Sequence, residues 1–521
     1  MSTARTSAVA IHGVNLSLIE VEADLGNGIP GFIILGLPDA CLNEARERIK
    51  AAARNTGIPL ANRKLTVNLT PATLPKYGSG FDLAILTAAL AADQQIVTSP
   101  TTLYLAELGL DGTLRPVPGV LPAVQLAKDR GLERVIVAEA NAQEARLVPG
   151  IQVISAQHLG QVLEYCGAPR EVLSTYLHHP RLAPSLVTEQ NRSAVSGAQA
   201  DDADLELVNG QNEARLALEL AAAGGHHLIM VGPAGAGKTM LAKCLPTIMP
   251  PLDDQQALEA TAVNSITQGA LKEMTALQRT PPFIAPHHTA SLSALIGGGT
   301  SQLVPGAITR AHQGILFLDE AAQFNSGVLD ALRQPIEEGF INLARAKGHQ
   351  RLPARFQLVL ASNPCPCGRN YGTGTSCTCT PMARRRYFAR LSGPILDRVD
   401  LQVRVNPVSQ SQLLHNTPNE SSARVRERVL ATRERSQGRL ERFGVSCNAQ
   451  IPTQVLRQEL KYPTKTQRAL EELATRRGLS ARGIHRLLRV AWTVADQQNH
   501  AAPTDDDLAI AAHLRQSLEN S

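Results

Sequence analysis

The sequence has no apolar run long enough to cross a membrane and no strong excess of charge of either sign. Its longest apolar stretch, near residues 83–92, is far shorter than the roughly 20 residues that a bilayer-spanning helix needs. No long apolar region follows Met1, so a secretory signal is not expected. The net charge of +5 over 521 residues permits a nucleic-acid partner but does not by itself argue for one. Membrane and secreted classes are both disfavoured.

Cysteine is scarce, and its distribution indicates a reducing compartment. Of eight cysteines, several stand alone on apolar backgrounds, which is typical of reduced core residues. Disulfide frameworks belong to oxidising compartments, so the sequence predicts a cytoplasmic protein without a membrane partner. A chain of 521 residues is too long for one hydrophobic core, and two to four domains are expected.

Changes of pattern along the chain predict three domains and a linker. Residues 1–177 alternate strand-like and helical segments, including a helix over 39–56, and form an α/β domain. Residues 178–205 are polar, small and aperiodic, as linkers are. Residues 206–405 form a second α/β domain, and residues 406–521 are helical segments punctuated by prolines, which predicts an α-helical lid.

A glycine-rich loop lies between an apolar strand and a helical pattern in the second α/β domain. Its pattern is G-x-x-x-x-G-K-[ST], the phosphate loop of P-loop NTPases. The loop consists of Gly232, Pro233, Ala234, Gly235, Ala236, Gly237, Lys238 and Thr239. Backbone N–H groups and the helix N-terminus favour a phosphate there. Lys238 is predicted to reach the β- and γ-phosphates of ATP, and Thr239 to bind Mg²⁺.

A second apolar strand ends in two acidic residues about eighty positions later. Residues 314–318 are followed by Asp319 and Glu320, which is a Walker B pattern. We expect Asp319 to hold Mg²⁺ through water and Glu320 to orient the attacking water. A third apolar strand, at residues 356–361, leads through Ser362 to Asn363.

Four cysteines are clustered shortly after Asn363. Cys365, Cys367, Cys377 and Cys379 form two C-x-C pairs separated by nine residues. Four thiolates can close a tetrahedral Zn²⁺ site, and a structural zinc site is the first hypothesis. Free thiols or a redox disulfide are the alternatives.

These motifs resemble the magnesium-chelatase-like branch of AAA+ ATPases, and in particular the ComM/YifB family. The blocks that carry the resemblance are Ala285-Pro286-His287-His288, Leu332-Arg333-Gln334-Pro335-Ile336-Glu337 and Asn363-Pro364-Cys365-Pro366-Cys367-Gly368. In this branch Asn363 corresponds to the first sensor. Arg398 corresponds to the arginine finger that completes a neighbouring subunit's site. Arg482 corresponds to the second sensor in the lid, with Arg486 and Arg489 as rivals at helical spacing.

The first domain resembles the Lon-protease-like domain, which has the ribosomal S5 domain 2-like fold. An ungapped match places Gly80 at the position of the Lon serine and Leu121 at that of its lysine. A serine nucleophile needs an activating base, so an inactive peptidase is predicted. A shifted dyad of Ser79 and Lys76 is the alternative.

The resemblance implies an ATP-dependent DNA motor that drives branch migration of recombination intermediates in natural transformation. It further implies ATP and Mg²⁺ as cofactors, a homo-hexameric ring, and branched or single-stranded DNA as partner, with recombination proteins as further candidates. Three other functions are open: a chelatase-type ATPase that remodels a protein partner, an ATP-dependent peptidase, and a nucleotide-gated scaffold.

Overall fold

A computed structural model describes residues 2–37, 39–74, 76–169, 203–268, 274–299, 303–345, 348–371, 376–391, 393–407 and 419–516. The predicted linker lies outside these residues as far as residue 202. By its contacts the chain divides into two compact units. In the described portion, no helix combines the length and the apolar character needed to cross a membrane.

The first unit is built on a seven-stranded mixed sheet. The strands of the unit, two of which lie outside this sheet, are β1 Ser2–His12, β2 Asn15–Gly26, β3 Gly31–Leu35, β4 Lys64–Thr70, β5 Thr102–Leu105, β6 Glu107–Leu108, β7 Leu114–Arg115, β8 Arg134–Ala138 and β9 Gln152–Ala156. Its helices are α1 Asp39–Thr56, α2 Asp82–Ala92, α3 Val120–Asp129, α4 Ala142–Arg146 and α5 Leu159–Tyr165. The sheet order is β3-β4-β2-β1-β5-β8-β9, and β6 pairs with β7 apart from it.

Residues from later in the chain complete the first unit. The unit includes residues 258–278 and 299–305 in addition to the N-terminal part of the chain. Leu258, Ala262 and Leu277 pack against the core cluster that contains α3 residues. The Ser265 hydroxyl donates to Glu144, and its carbonyl accepts from the backbone N–H of Gly119 at 3.2 Å. The first unit is therefore assembled from separate stretches of sequence.

The second unit contains a five-stranded sheet and most of the helices that follow. Its strands are β10 Leu228–Val231, β11 Phe283–Ile284, β12 Gly297–Gly298, β14 Gly314–Leu318, β15 Phe340–Arg345, β16 Gly348–Pro353, β17 Phe356–Ser362 and β18 Leu401–Arg404. Strand β13 Val304–Pro305, which lies among these in sequence, is assigned to the first unit. The helices are α6 Asn212–Gly224, α7 Lys238–Ile248, α8 Asp254–Gln268, α9 Leu292–Ile296, α10 Ala307–Arg310, α11 Ser326–Ala331, α12 Arg333–Glu338, α13 Pro381–Ala389, α14 Gly393–Leu396, α15 Ser422–Glu441, α16 Thr453–Gln458, α17 Thr464–Arg477, α18 Ala481–Gln497 and α19 Asp505–Gln516. Helix α8 begins in this unit and continues into the residues assigned to the first.

All pairings in the five-stranded sheet are parallel, in the order β11-β14-β17-β10-β18. Strands β10 and β14 are buried along their whole length, as expected where both faces of a parallel sheet are covered. One hydrophobic cluster joins this sheet to the helices from α15 to α19, through residues such as Val429, Leu487 and Trp492. Because the strands are parallel, their carboxyl ends meet at one edge of the sheet.

Candidate nucleotide-binding site

The predicted phosphate loop begins at the carboxyl end of β10, between β17 and β18. The Gly232 N–H donates to the Ser362 carbonyl at 3.1 Å, which ties the start of the loop to the end of β17. The loop ends at Gly237, whose φ of +89° is in the left-handed region, and α7 starts at Lys238. Glycine adopts this conformation without strain, and the turn directs the first N–H groups of α7 towards the loop.

Lys238 is buried, and its ammonium group is held inside the loop. Its Nζ donates to the carbonyls of Gly232 and Pro233, both at 2.7 Å, and to Oδ1 of Asn363 at 3.2 Å. Burial lowers the pKa of Lys238, while Asp319 and Glu320 oppose that shift. A bound phosphate would offer the ammonium group a stronger, charge-assisted acceptor than these neutral oxygens.

The predicted magnesium residues meet at the same edge. Thr239 Oγ1 donates to Oδ2 of Asp319 at 2.7 Å. The other oxygen of Asp319 accepts from the Glu320 N–H at 2.9 Å. A hydroxyl beside a carboxylate provides the hard oxygen ligands that Mg²⁺ takes. These residues therefore fit a magnesium ion bound to nucleotide.

Glu320 has an unusual backbone and an unexpected neighbour. Its φ of +52° and ψ of +41° are left-handed, a conformation that few residues other than glycine adopt. Its Oε2 lies 3.5 Å from Nδ1 of His288. Sequence reasoning missed this contact, although the A-P-H-H block follows β11, which is the neighbour of β14 in the sheet.

Arg398 lies at the opposite edge of the sheet. Strand β18 pairs with β10 so that Leu401 faces Leu228 and Arg404 faces Val231. Arg398 precedes β18, so it lies beyond the amino end of a strand that spans about 13 Å. Its Nη2 donates to Oε1 of Glu337 at 2.5 Å. The structure does not bring Arg398 together with the phosphate loop of its own chain.

The three lid arginines are placed differently. Arg486 donates to Oδ1 of Asp400 at 3.0 Å, and Arg489 donates to the Ile451 carbonyl at 2.9 and 2.7 Å. Arg482 is exposed in the first turn of α18, which the Ser480 hydroxyl caps. Arg486 thus has its partner directly before β18, and Arg489 has its partner within the lid.

The four clustered cysteines converge in space. Their sulfurs all lie within 4.8 Å of one another, and three Sγ–Sγ distances among Cys365, Cys367 and Cys377 are 3.3, 3.7 and 3.7 Å. These distances are too long for a disulfide bond. Tetrahedral zinc, with Zn–S bonds of about 2.3 Å, places sulfurs roughly 3.8 Å apart. The spacing of the four sulfurs therefore fits zinc.

The shifted peptidase dyad is not formed. The Ser79 hydroxyl donates to the carboxylate of Glu107. Lys76 is buried and donates to the carbonyls of Pro71 at 2.6 Å and Leu74 at 3.2 Å. Burial lowers the pKa of Lys76, but its contacts are with carbonyl oxygens and not with the serine.

Comparison with known proteins covers almost the whole chain. The family described as magnesium chelatase, subunit ChlI, matches residues 204–413. A second chelatase ChlI family matches residues 21–141, and the ChlI C-terminal family matches residues 419–515.

Competence protein ComM of Haemophilus influenzae is 41% identical over 519 residues, 99% of this chain and 98% of its own. An uncharacterized protein of Mycobacterium tuberculosis is 42% identical over 519 residues, 99% of both chains. YifB of Escherichia coli is 38% identical over 522 residues, 99% of this chain and 97% of its own. With a P-loop site at one edge of a parallel sheet and relatives of this similarity along its full length, the chain belongs to the ComM/YifB family of magnesium-chelatase-like AAA+ proteins.

Proposed function

We propose that this protein is a ring-forming ATPase that moves branched DNA. The observation that carries the proposal is the convergence of Lys238, Thr239, Asp319 and Asn363 at one sheet edge. The full-length similarity to a protein named for competence supports DNA as the substrate. The net positive charge of the chain is compatible with that substrate.

In the proposed cycle, the phosphate loop binds ATP and Lys238 neutralises charge on the β- and γ-phosphates. Thr239 and Asp319 would hold Mg²⁺, which when bound would stabilise negative charge on the phosphates. Glu320 accepts a proton from the attacking water as it orients it. Asn363 detects the γ-phosphate through its contact with Lys238, and Arg482 does so from the lid.

The position of Arg398 supports a multi-subunit site. It lies beyond the amino end of β18, away from the phosphate loop of its own chain, which supports a role at the nucleotide of another copy. Arginine fingers contribute about 10³–10⁵ to the rate of phosphoryl transfer. When two copies associate, Arg398 would then have to break its ion pair with Glu337 and contact the phosphate of the neighbouring copy's nucleotide.

The test is the unwinding of a labelled four-way junction by the wild type, Lys238→Ala and Glu320→Gln. Both variants should lose unwinding, the first because ATP binds weakly and the second because bound ATP is not hydrolysed. Lys243→Ala is the matched control, since Lys243 is an exposed lysine on the same helix. Equal unwinding by all four proteins would refute the motor.

A chelatase-type ATPase that remodels a protein partner is the second candidate, favoured by the family match over residues 204–413. Stimulation of ATP turnover by junction DNA supports the DNA motor. An ATP turnover rate that is the same with and without DNA, whether branched, duplex or single-stranded, supports the chelatase-type alternative.

The peptidase alternative is disfavoured by the separate partners of Ser79 and Lys76. We retain the Lon-like fold as a proposal for the first unit and assign it no peptidase activity. ATP-dependent degradation of casein that disappears in Ser79→Ala would overturn this assignment.

We also propose that the four cysteines hold a structural Zn²⁺ ion. The site lies two residues after Asn363, so a metal there would fix the loop that presents the sensor. Metal analysis should find about one zinc per chain, and Cys377→Ser should lose it. Cys447→Ser, at a buried cysteine outside the cluster, should retain it. Absence of zinc from wild type purified without chelators would leave the free-thiol alternative.

A further inference from the structure

One stretch of the second unit carries basic side chains and no acidic ones. Residues 339–396 contain nine Lys and Arg and no Asp or Glu, although the rest of the chain is net negative. Solvated surfaces usually interleave both signs of charge, whereas blocks of one sign mark interaction surfaces. This segment therefore requires an explanation beyond solubility.

Helix α13 presents part of this charge on one face. Arg385, Arg386 and Arg390 are exposed, and Met382 precedes them at the spacing that places all four on one side of the helix. Tyr387 is buried on the other side. In the described part of the chain, no carboxylate pairs with these three arginines. Arg386 and Arg390 are four residues apart, where like charges repel.

The helix that carries this arginine face (Arg385, Arg386 and Arg390) is fixed at its start. The Thr380 hydroxyl, which follows Cys379 directly, accepts from the Ala383 N–H at 3.2 Å and caps the helix. Arg384 donates to Oδ1 of Asn370 at 2.8 Å, which ties the helix to the loop between the two cysteine pairs. The arginine face is therefore held in position rather than carried on a free loop.

An open cleft continues from the arginine face. Arg390 lines it together with His288, Thr289, Ser291 and Asn325, and none of the lining residues is acidic. Hydroxyl, amide and imidazole groups are the side chains that accompany arginine in contacts with phosphate oxygens. The lining thus offers polar groups and no carboxylate, and the nearest acid named above is Glu320, 3.5 Å from His288.

We propose that the arginine face and this cleft bind the phosphate backbone of nucleic acid. The inference rests on the proposed function, because it takes DNA to be the partner. The face offers guanidinium forks, whose geometry matches phosphate oxygens. In sequence, the helix begins two residues after Cys379, and Asn363, which contacts Lys238, lies two residues before Cys365.

The test compares binding of a labelled four-way junction and a labelled single strand at several salt concentrations. The triple substitution Arg385→Gln, Arg386→Gln and Arg390→Gln should weaken DNA binding by about tenfold or more at low salt. It should also lower the slope of log affinity against log salt by about 2 to 3 for the duplex arms, because each phosphate contact contributes about 0.9. Replacing the same three residues with lysine should retain most of the slope.

The matched control is Arg54→Gln, Arg130→Gln and Arg146→Gln, which removes the same charge from exposed positions of the first unit. This control should leave affinity and slope unchanged. Should the triple glutamine variant not fold, Arg386→Gln alone lowers the slope by about 0.9.

Three results would overturn the inference. Junction unwinding by the wild type together with an unchanged slope in the triple variant rejects the arginine face and leaves the motor intact. Loss of ATP affinity with unchanged DNA affinity assigns the face to the nucleotide of a neighbouring copy. A wild type that binds no DNA rejects the arginine face together with the proposed function.

Discussion

Glycines of the phosphate loop meet two different physical demands. A Cβ at Gly232 would lie 2.0 Å from the Val405 carbonyl oxygen, so this position needs the absence of a side chain. A Cβ at Gly235 would meet nothing within 4 Å, but its φ of +76° favours glycine. The first demand is a matter of space and the second of backbone conformation.

Alanine at these two positions should therefore have unequal effects. Gly235→Ala should cost about 1–2 kcal/mol, the energy of a left-handed residue with a Cβ, and weaken ATP binding modestly. Gly232→Ala should abolish measurable ATP binding, since the loop must separate from β18 to admit the methyl group. Titration with a fluorescent ATP analogue measures both, and equal losses would contradict the assignment of Gly232 to close approach.

His227, beside the start of β10, is a half-buried histidine that is neutral in the folded chain. Burial lowers its pKa to about 4, with Arg486 and His226 acting in the same direction and Asp400 opposing. Its Nδ1 accepts from the Leu358 N–H at 2.9 Å, which requires an unprotonated nitrogen. Unfolded histidine titrates near pH 6.5. Acid therefore favours the unfolded chain, which can take up the proton.

The second unit should lose stability between about pH 6.5 and pH 4, by about 3 kcal/mol in total from this histidine. Its contribution is complete above the unfolded pKa and is lost as the pH falls towards the folded value. In His227→Asn, whose amide oxygen can accept the same bond, the loss in this window should be absent. Urea unfolding followed at several pH values measures it, and parallel curves for both proteins would contradict the prediction.

At the scale of elements, α15 and α18 are joined by a buried ionic cluster. Asp496 on α18 is 3% exposed and accepts from Arg439 on α15 at 2.8 and 2.6 Å and from Asn448 at 2.7 Å. The Arg439 guanidinium also stacks over Trp492, 4.3 Å from the ring centre. Removing Asp496 leaves the half-buried Arg439 guanidinium without its carboxylate partner.

Asp496→Ala should thus destabilise the second unit by about 3–5 kcal/mol. The matched comparison is Lys465→Ala, which breaks an ion pair of 2.9 Å with Asp505 on the surface. Solvent screens that pair, so its loss should leave the unfolding midpoint unchanged. Thermal unfolding of both variants makes the comparison, and similar midpoints would show that the cluster is not stabilising.

The local pattern of apolar and polar residues predicted those helices and strands whose hydrophobic periodicity is clear within a short stretch of sequence. Helix α1 spans the predicted residues 39–56, β14 spans the predicted residues 314–318, and β17 ends one residue after the predicted 356–361. The mixed α/β class is confirmed. Strand β1 was missed because its early residues are small and polar, and its place beside β2 and β5 depends on long-range pairing.

Motif spacing predicted which residues gather at the sheet edge, because parallel strands bring their carboxyl ends together. It could not predict partners that come from distant parts of the chain. Examples are His288 beside Glu320, Glu337 on Arg398, and Glu107 on Ser79. Such contacts depend on how helices and loops pack, and short-range periodicity contains no information about that.

At the scale of the whole molecule, the position of Arg398 gives the proposed ring a simple test. The Lys238 half of each site and the Arg398 half are on opposite edges of one chain. Lys238→Ala and Arg398→Ala should each abolish ATP turnover alone. In rings formed from an equal mixture of the two variants, about a quarter of the interfaces combine an intact Lys238 half-site with an intact Arg398 half-site. ATP turnover should return at those interfaces.

The control mixture is Lys238→Ala with Glu320→Gln. Both lesions are on the same half-site, so no combination of chains rebuilds an intact site, and turnover should stay absent. ATP hydrolysis by the mixtures, after exchange of subunits, provides the measurement. Recovery in both mixtures, or in neither, would contradict a shared site.

The first unit is formed from separate stretches of the chain, which limits how it can be truncated or fused to another protein. Leu258, Ala262 and Leu277 belong to that unit although they follow the phosphate loop in sequence. A gene fusion or truncation within 178–205 would leave the N-terminal segment without part of its own core. The segment should therefore be unable to fold when transferred alone.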